Sequence, residues 1–565
     1  MTATSVATVG QSRDTAAPRD QFAGTGMLFR LALRRERYAL PAWLLANAVV
    51  LGGTVAAYGA TYTDTGARDA AVSRSDSLLL RTLNGAPAGD SVGSLAVTDT
   101  FLITTTLASL MAVAMVLRHT RENDDQGRAE LLASTAVGRL APLLAALLLG
   151  VGACVALVPV LTLALTINNL PLVGSIAAAT AIAAIGLLFA AVSTMTAQLW
   201  PSMTASTWDA ILVISLVFLP RAFGDALGQV PPGGIGVSRG WLSWTSPVTW
   251  AQEIKPFHGD RWLMLLPLVA LSALIAAQGF RLNTKREPGS SVIETARGPA
   301  SAPPSLRGPW HLGLRLHRAA LWAWVPGTFL GFLCAGLLGA PAVTSLPGAD
   351  DAGFVDLVQR TLALPTGASP TVDDIFSVVV GVLVAIVAVC YVAHVLALLW
   401  REEATGGLAM TLACGVERTG WLLSRLRLGV LGLAAVVVAA GLGAGLGVGL
   451  RRDDVAGGIT QMVAVALVQL PAALAFAGLA VAVFGALPRL FRPLLWAGPV
   501  VLAFLTVTVA RAGLPGWVAG LSPMWHTRAF PVAEPGAGLV IGLILAAFVL
   551  ATLGAVAFRR RDICR

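Results

Sequence analysis

Residues 281–308, RLNTKREPGSSVIETARGPASAPPSLRG, interrupt a succession of long apolar runs with a stretch rich in proline, serine and charge. Such a composition buries little apolar surface and has the turn chemistry of a linker. Before it lie six apolar runs, near residues 40–60, 101–117, 141–166, 172–196, 205–220 and 263–280. Six more follow, near 321–340, 377–399, 427–449, 459–486, 494–511 and 538–557. A bilayer-crossing helix needs roughly 17–25 predominantly apolar residues, and these runs approach or meet that length. The expectation is an all-α integral membrane protein of about twelve transmembrane helices in two six-helix repeats. Its expected parts are a disordered cytosolic tail at 1–26, a first half at 27–280, a cytosolic linker at 281–309 and a second half at 310–565.

Composition supports this reading. Of 565 residues 56% are hydrophobic and 12% charged, and the mean hydropathy is +0.76; a soluble domain carries about 25% charged residues. The net charge of +9 raises the question of nucleic acid, but no compact basic stripe interleaved with aromatic residues is present. Topology accounts for the excess: with a cytosolic N-terminus, 27 of the 39 lysines and arginines fall on the cytosolic side, as the positive-inside rule requires. A multi-pass protein of the plasma membrane with both termini cytosolic is expected. No run in the tail has the length of a signal-peptide core.

Catalytic signatures are missing. The five cysteines, Cys154, Cys334, Cys390, Cys414 and Cys564, stand singly, without metal-ligand or disulfide spacing. The two lysines, Lys255 and Lys285, do not sit in the Gly-x4-Gly frame of a phosphate-binding loop. Neither His-Glu-x-x-His nor Gly-x-Ser-x-Gly occurs. The chain is expected to be no enzyme and to bind no cofactor or metal.

The two halves repeat one another. Arg121–Asp124 (REND) follows the second run and Arg401–Ala404 (REEA) follows the eighth, an offset of 280 residues. Each continues as helix-compatible sequence, at 127–139 and 407–418, before the next run. Trp-x4-Ser-Pro precedes the last run of each half, as Trp241, Ser246 and Pro247 and as Trp517, Ser522 and Pro523. Arg30, Arg34 and Arg37 before the first run are echoed by Arg315 and Arg318 before the seventh. Three echoes in one order point to internal duplication.

Individual residues then come into view. Arg30, Arg34 and Arg37 at helical spacing describe a basic amphipathic helix at the membrane interface, or ordinary orientation charge. Segment 118–139 mixes both charge signs and carries the pair Leu131-Leu132, which suits docking on a soluble partner or a solvated topogenic loop. Trp208 and Asp209 at the start of the fifth run, with Tyr391 and His394 in the eighth, are candidates for a substrate pathway. A wetted helix end for Asp209 and a neighbour-bonded histidine are the plainer alternatives. Trp496 matches Trp208 in the second half, where Ala497 replaces the aspartate.

Taken with these echoes, the run from Arg121 through Gly127-Arg128-Ala129-Glu130-Leu131-Leu132 to Gly138-Arg139 resembles the ABC-type exporter permeases of actinobacteria. Ser246-Pro247-x-x-Trp250-Ala251-Gln252, followed by Pro256-Phe257-x-Gly259-Asp260-Arg261-Trp262, does so too. The similarity is to the fused, double-length group associated with polyketide antibiotic (tetronasin-type) export, and it covers nearly the whole chain. It implies a type V ABC exporter-like fold, with an interfacial helix before span one, a coupling helix between spans two and three, and an extracellular re-entrant region before span six.

On that resemblance, Glu122, Asp124, Asp125, Gly127, Arg128 and Glu130 belong to one ATPase-coupling segment, and Glu402, Glu403, Gly407 and Leu408 to the other. Trp241, Ser246, Pro247, Trp517, Ser522 and Pro523 belong to the extracellular region. The implied partner is a separate ABC ATPase in two copies, which holds the ATP and Mg; membrane lipid and a hydrophobic small molecule complete the set. The implied function is export of hydrophobic drugs or antibiotics. A lipid or cell-envelope exporter of the same architecture, or a proton-coupled secondary drug transporter, stands as the alternative. At the 280 register Asp124, Asp125, Arg128 and Glu130 face Ala404, Thr405, Leu408 and Met410, a departure that puts equal coupling through both halves in question.

Overall fold

The computed structural model describes residues 20–62, 65–73, 81–82, 84–231, 235–286, 290–293, 301–344, 371–508 and 516–562. Residues 1–19 of the expected tail, and residues 287–289 and 294–300 of the expected linker, lie outside them. The described residues form helices and no strand; the β-type pairing present is an isolated bridge between Gln229 and Ser238. Two compact units divide the chain, Met1–Gly298 and Pro299–Arg565. Eleven helical segments among the described residues are long and apolar enough to cross a membrane. The run expected near 494–511 is helical over Pro488–Thr508 but is not one of the eleven, and residues 509–511 fall outside the described set.

In the first unit a short amphipathic helix α1 (Thr25–Arg35) turns at Glu36 into the first span, α2 (Ala39–Thr61). A short α3 (Thr65–Ser73) precedes span two, α4 (Val92–His119). The next two helices are α5 (Arg121–Asp125) and α6 (Arg128–Ala133). Then come spans three to five, α7 (Ala141–Thr166), α8 (Leu172–Leu199) and α9 (Met203–Leu227). Two short helices, α10 (Trp241–Trp244) and α11 (Pro247–Gln252), lead to span six, α12 (Leu265–Lys285).

Helix α8 is the core, with 83% of its apolar window buried. Its alanine-rich sequence keeps side chains short, so neighbours approach closely, and Gly186 lies against Ala108 and Cys154. Polar side chains inside α4 satisfy themselves on their own helix: Thr100 donates to the Ala96 carbonyl at 2.7 Å, and Ser109 to that of Thr105 at 2.6 Å. Such back-bonding lets a hydroxyl enter an apolar interior without an unsatisfied donor. Ser202 caps α9 by accepting from the Ala205 amide at 3.2 Å, so the Pro201-Ser202 pair sets the corner between spans four and five.

The second unit opens on α13 (Gly308–Thr344), 37 residues in which interfacial helix and span are continuous. Span two is α14 (Val372–Ala404), started by a capping box between Thr371 and Asp374. The short α15 (Gly407–Ala413) precedes α16 (Arg418–Arg452). Its fourth span is broken into α17 (Val455–Leu467) and α18 (Leu470–Ala486). Pro471 has no amide proton to give the Leu467 carbonyl, which accounts for the break. Helices α19 (Pro488–Thr508), α20 (Gly516–Ala519) and α21 (Ala537–Arg560) complete it.

Helix α16 carries glycines on two faces. A Cβ on Gly443 would lie 2.2 Å from the Phe329 carbonyl oxygen of α13, and one on Gly445 would lie 2.5 Å from the Ile459 Cα of α17. Close backbone approach of this kind replaces the hydrophobic drive that lipid removes.

Candidate functional site

The segment after span two of the first unit is two short helices, α5 and α6, joined at Gly127, whose φ of 69° favours glycine. Arg121, fully buried, anchors it. Its Nε donates to the Trp200 carbonyl at 2.6 Å and its Nη1 to Asp124 at 2.8 Å and to the Ser290 carbonyl at 3.1 Å. Arg286, just past α12, reaches the same Asp124 carboxylate at 3.2 Å and also donates to Gln198 at the end of α8. Asp125 accepts from the Met203 amide at 2.8 Å, at the N-terminus of α9, where a negative charge is favoured. Asp124 and Asp125 therefore bind the segment to its own bundle.

What the segment turns outward is different. Glu122 accepts from Gln126, and exposed Arg128 is 3.4 Å from the Asn123 side-chain oxygen. Glu130 is exposed, and Leu131 is 70% exposed on the same short helix.

The second unit repeats this wiring. Gly406, φ 79°, joins the end of α14 to α15, with Gly407 as the first residue of α15 and Leu408 buried behind it. Glu403 accepts from Arg561 Nη2 at 2.6 Å, and Arg561 Nη1 donates to the Phe484 carbonyl at 2.6 Å. Glu402 accepts from Trp421 Nε1 at 3.0 Å and Arg425 Nη2 at 2.9 Å. In both units, then, an arginine past the sixth span joins an acid at or just after the end of span two to the end of the fourth span.

A second arginine closes each circuit. Arg139 donates to the Asn283 and Thr284 carbonyls at 3.1 Å, and Arg418 to those of Arg561 at 2.6 Å and Arg559 at 3.3 Å. These partners correct the register. Asp124 matches Glu403, Gly127 matches Gly406 and Arg139 matches Arg418, one residue shorter than the Arg121/Arg401 offset. Leu131 then faces Met410, which is 73% exposed. Arg286 and Arg561 went unnoticed in the sequence because each lies past the sixth span, outside the loop it serves; the recurrence of Arg139 and Arg418 before span three was the available signal.

The elbow before span one exchanges its charges between units. Glu36, buried, accepts from Arg118 Nη1 at 2.9 Å and from His119 Nε2 at 3.0 Å, both at the end of α4. At the matching position His317 lies 3.8 Å from Glu402 at the end of α14. Burial would raise the Glu36 pKa, but the hydrogen bonds from His119 and Arg118 and the Arg118 charge outweigh it and hold the carboxyl below its ordinary range.

At the other end of each unit the Trp-x4-Ser-Pro motif has a shared geometry. Trp241 and Trp517 are exposed, whereas Ser246 and Ser522 are buried. Ser246 donates to the Val217 carbonyl of α9 at 2.6 Å, and Ser522 to the Leu502 carbonyl of α19 at 3.4 Å. Pro247 begins α11, and Pro523 begins a 3₁₀ turn over Pro523–His526. The motif thus pins the segment before span six onto span five.

Behind it the first unit holds a buried polar network that the sequence reading missed. Asp225 accepts from Arg221 at 3.2 Å and from Arg239 at 2.8 Å; Arg239 also pairs with Glu253. Gln252 accepts from Arg221 at 3.2 Å and Arg239 at 3.3 Å. The i,i+4 spacing of Arg221 and Asp225 inside an apolar span was the signal for it.

The pathway candidates fall in two places. Trp208 is 39% exposed and Asp209 half-buried, two turns into α9. Tyr391, 2% exposed, packs edge-on against Trp324 at 5.7 Å, and His394 tilts against the same indole at 5.9 Å. That pair joins α14 to α13. The side chain of Trp496 lies outside the described residues.

Comparison with known proteins gives a consistent picture. A family model described as "Multidrug efflux system permease Rv1217c, C-terminal domain" matches residues 27–282 and again residues 306–559. The chain is 34% identical over 545 residues, 96% of its own length and 96% of the other, to the multidrug efflux system permease protein Rv1217c of Mycobacterium tuberculosis (strain ATCC 25618 / H37Rv). With both halves of the chain matched by one model and nearly the whole length matched by one relative, the chain belongs to the multidrug efflux permease family of Rv1217c.

Proposed function

We propose that this chain is the membrane-spanning permease of an ATP-binding-cassette exporter that moves hydrophobic drugs or antibiotics out of the cell, driven by a separate ATPase in two copies. The observation that carries the reading is the glycine-hinged short helix that follows span two in each unit, with an acid just before the glycine tied by arginine to the ends of spans four and six. A rigid tip with wired connections is what a subunit needs in order to pass a partner's motion to its helices. The chain itself has no phosphate-binding loop, so ATP and Mg belong to the partner.

In this reading both termini, α5–α6 and α15 are cytosolic, and the two Trp-x4-Ser-Pro segments are extracellular; the basic excess supports that orientation. The ATPase contacts come from Glu122, Gly127, Arg128, Glu130 and Gly407, while Asp124, Asp125, Glu402, Glu403 and Leu408 hold the tips in place. When the ATPase pair closes, the tips move as bodies, and Arg286 and Arg561 carry the displacement to the inner ends of α8 and α18. Trp208 and Asp209 stand where span five leaves that inner end and are assigned to the drug's entry. Tyr391 and His394 would gate the second half by shifting α14 against α13.

The test is export of a fluorescent hydrophobic dye from cells expressing this chain with its ATPase. Vanadate should stop export while the proton gradient is intact, and an uncoupler should leave it running while ATP is maintained. The opposite pair of results would assign the chain to proton-coupled secondary transport.

A further inference from the structure

The second unit has an open groove of about 840 Å³ between segment 303–306 and the first turns of α13. One wall is Pro303, Ser305 and Leu306; the other is the helix face bearing His311, Arg315 and Arg318. These three lie at i, i+4 and i+7 and so share one side of the helix. Among the described residues no acidic side chain lines the groove, and neither arginine forms an ion pair with a described residue. His311 Nδ1 donates to the Arg307 carbonyl at 2.6 Å in the first turn of the helix, which leaves its Nε2 as the ring's other polar atom.

The same face continues as Leu314, Leu321, Trp322 and Val325 along the helix that becomes the seventh span. Trp322 is 77% exposed, the position an interfacial indole takes at headgroup level. A basic mouth opening onto an apolar wall that runs into the membrane fits one chemistry, a phosphate diester attached to acyl chains.

We infer that this groove is a binding site for an anionic phospholipid, its phosphate held by His311, Arg315 and Arg318 and an acyl chain lying along Leu314, Leu321 and Trp322. The first unit repeats the cations at the matching positions, Arg30, Arg34 and Arg37, all exposed and without an ion pair to a described residue. There Arg37 lies over the Tyr38 ring at 4.6 Å, and the helix ends at Arg35 instead of running on into the span. The first unit accordingly offers a basic strip, and the second a walled groove. The site needs neither the ATPase nor a transported drug, so its fate is independent of the function proposed above.

The experiment is native mass spectrometry of the full chain released from nanodiscs of equal phosphatidylglycerol and phosphatidylcholine. The chain should retain phosphatidylglycerol over phosphatidylcholine. Arg315→Gln with Arg318→Gln should weaken that retention on the order of thirtyfold, at about fivefold per interfacial arginine. Arg30→Gln with Arg34→Gln should cost less. Equal retention of the two lipids by the unmodified chain would overturn the proposal without reference to any variant. Displacement of phosphatidylglycerol by millimolar inorganic phosphate would overturn it in favour of a free-anion site, and unchanged retention in the double variant of the groove would place the lipid elsewhere.

Discussion

At the residue scale, Glu36 shows what a single buried charge does in this protein. It joins the turn after α1 to Arg118 and His119 at the end of span two. Its folded pKa lies below the ordinary value of 4.5, so its contribution to stability is fully present above that value and is lost as the pH falls through the lower, folded one. Glu36→Gln should cost roughly 1.5–3 kcal/mol near neutral pH, the range for hydrogen bonds to charged groups. Thermal unfolding in detergent from pH 3 to pH 7 checks this: the gap between variant and parent should hold steady above about pH 5 and close below 4.5. A constant gap down to the acid end would mean that the carboxylate charge is irrelevant. Little of this was legible beforehand. REND reads as a charged loop, and from the sequence alone Asp124 facing Arg286 looks the same as Asp124 facing a partner, because the arginine stands 162 residues away.

At the element scale, length and hydropathy gave away the spans, since a helix in lipid must bond its own backbone over the full thickness of the membrane. The break between α17 and α18 had a local signal in Pro471 that length and hydropathy pass over, whereas nothing in the composition of 308–344 tells a continuous α13 from an interfacial helix followed by a turn. The segments expected to couple are short helices around Gly127 and Gly406, and the pairing of the two halves is one residue out from the expected register, a shift that only the matched arginines could reveal. If those arginines pass motion from the loop helices to span four, Arg561→Ala and Arg286→Ala should each leave ATP hydrolysis by the reconstituted complex within about twofold while lowering drug transport about tenfold, the separation expected when one contact between moving bodies is lost. Parallel loss of both activities would make the arginines purely structural. Because Leu131 and Met410 occupy matching exposed positions, the two variants should behave alike, despite the different charges around them.

At the scale of the whole molecule, the duplication is written into composition, motif order and the twofold match of one family model. Each unit still differs where its chemistry is local. The first has the Arg221–Asp225–Arg239 network behind its Trp-x4-Ser-Pro segment, and the second has Gln469 bonded to Thr527. Such divergence leaves the drug itself illegible, since an apolar pathway and a lipid-facing surface use the same residues. The energy source is the more testable matter. The most direct measurement is ATP hydrolysis and drug accumulation in proteoliposomes containing this chain, with and without the proposed ATPase partner. The chain alone should give neither, and adding the ATPase should give both, each abolished by vanadate. Hydrolysis by the chain alone, or drug accumulation driven by a proton gradient with no ATPase present, would contradict the account.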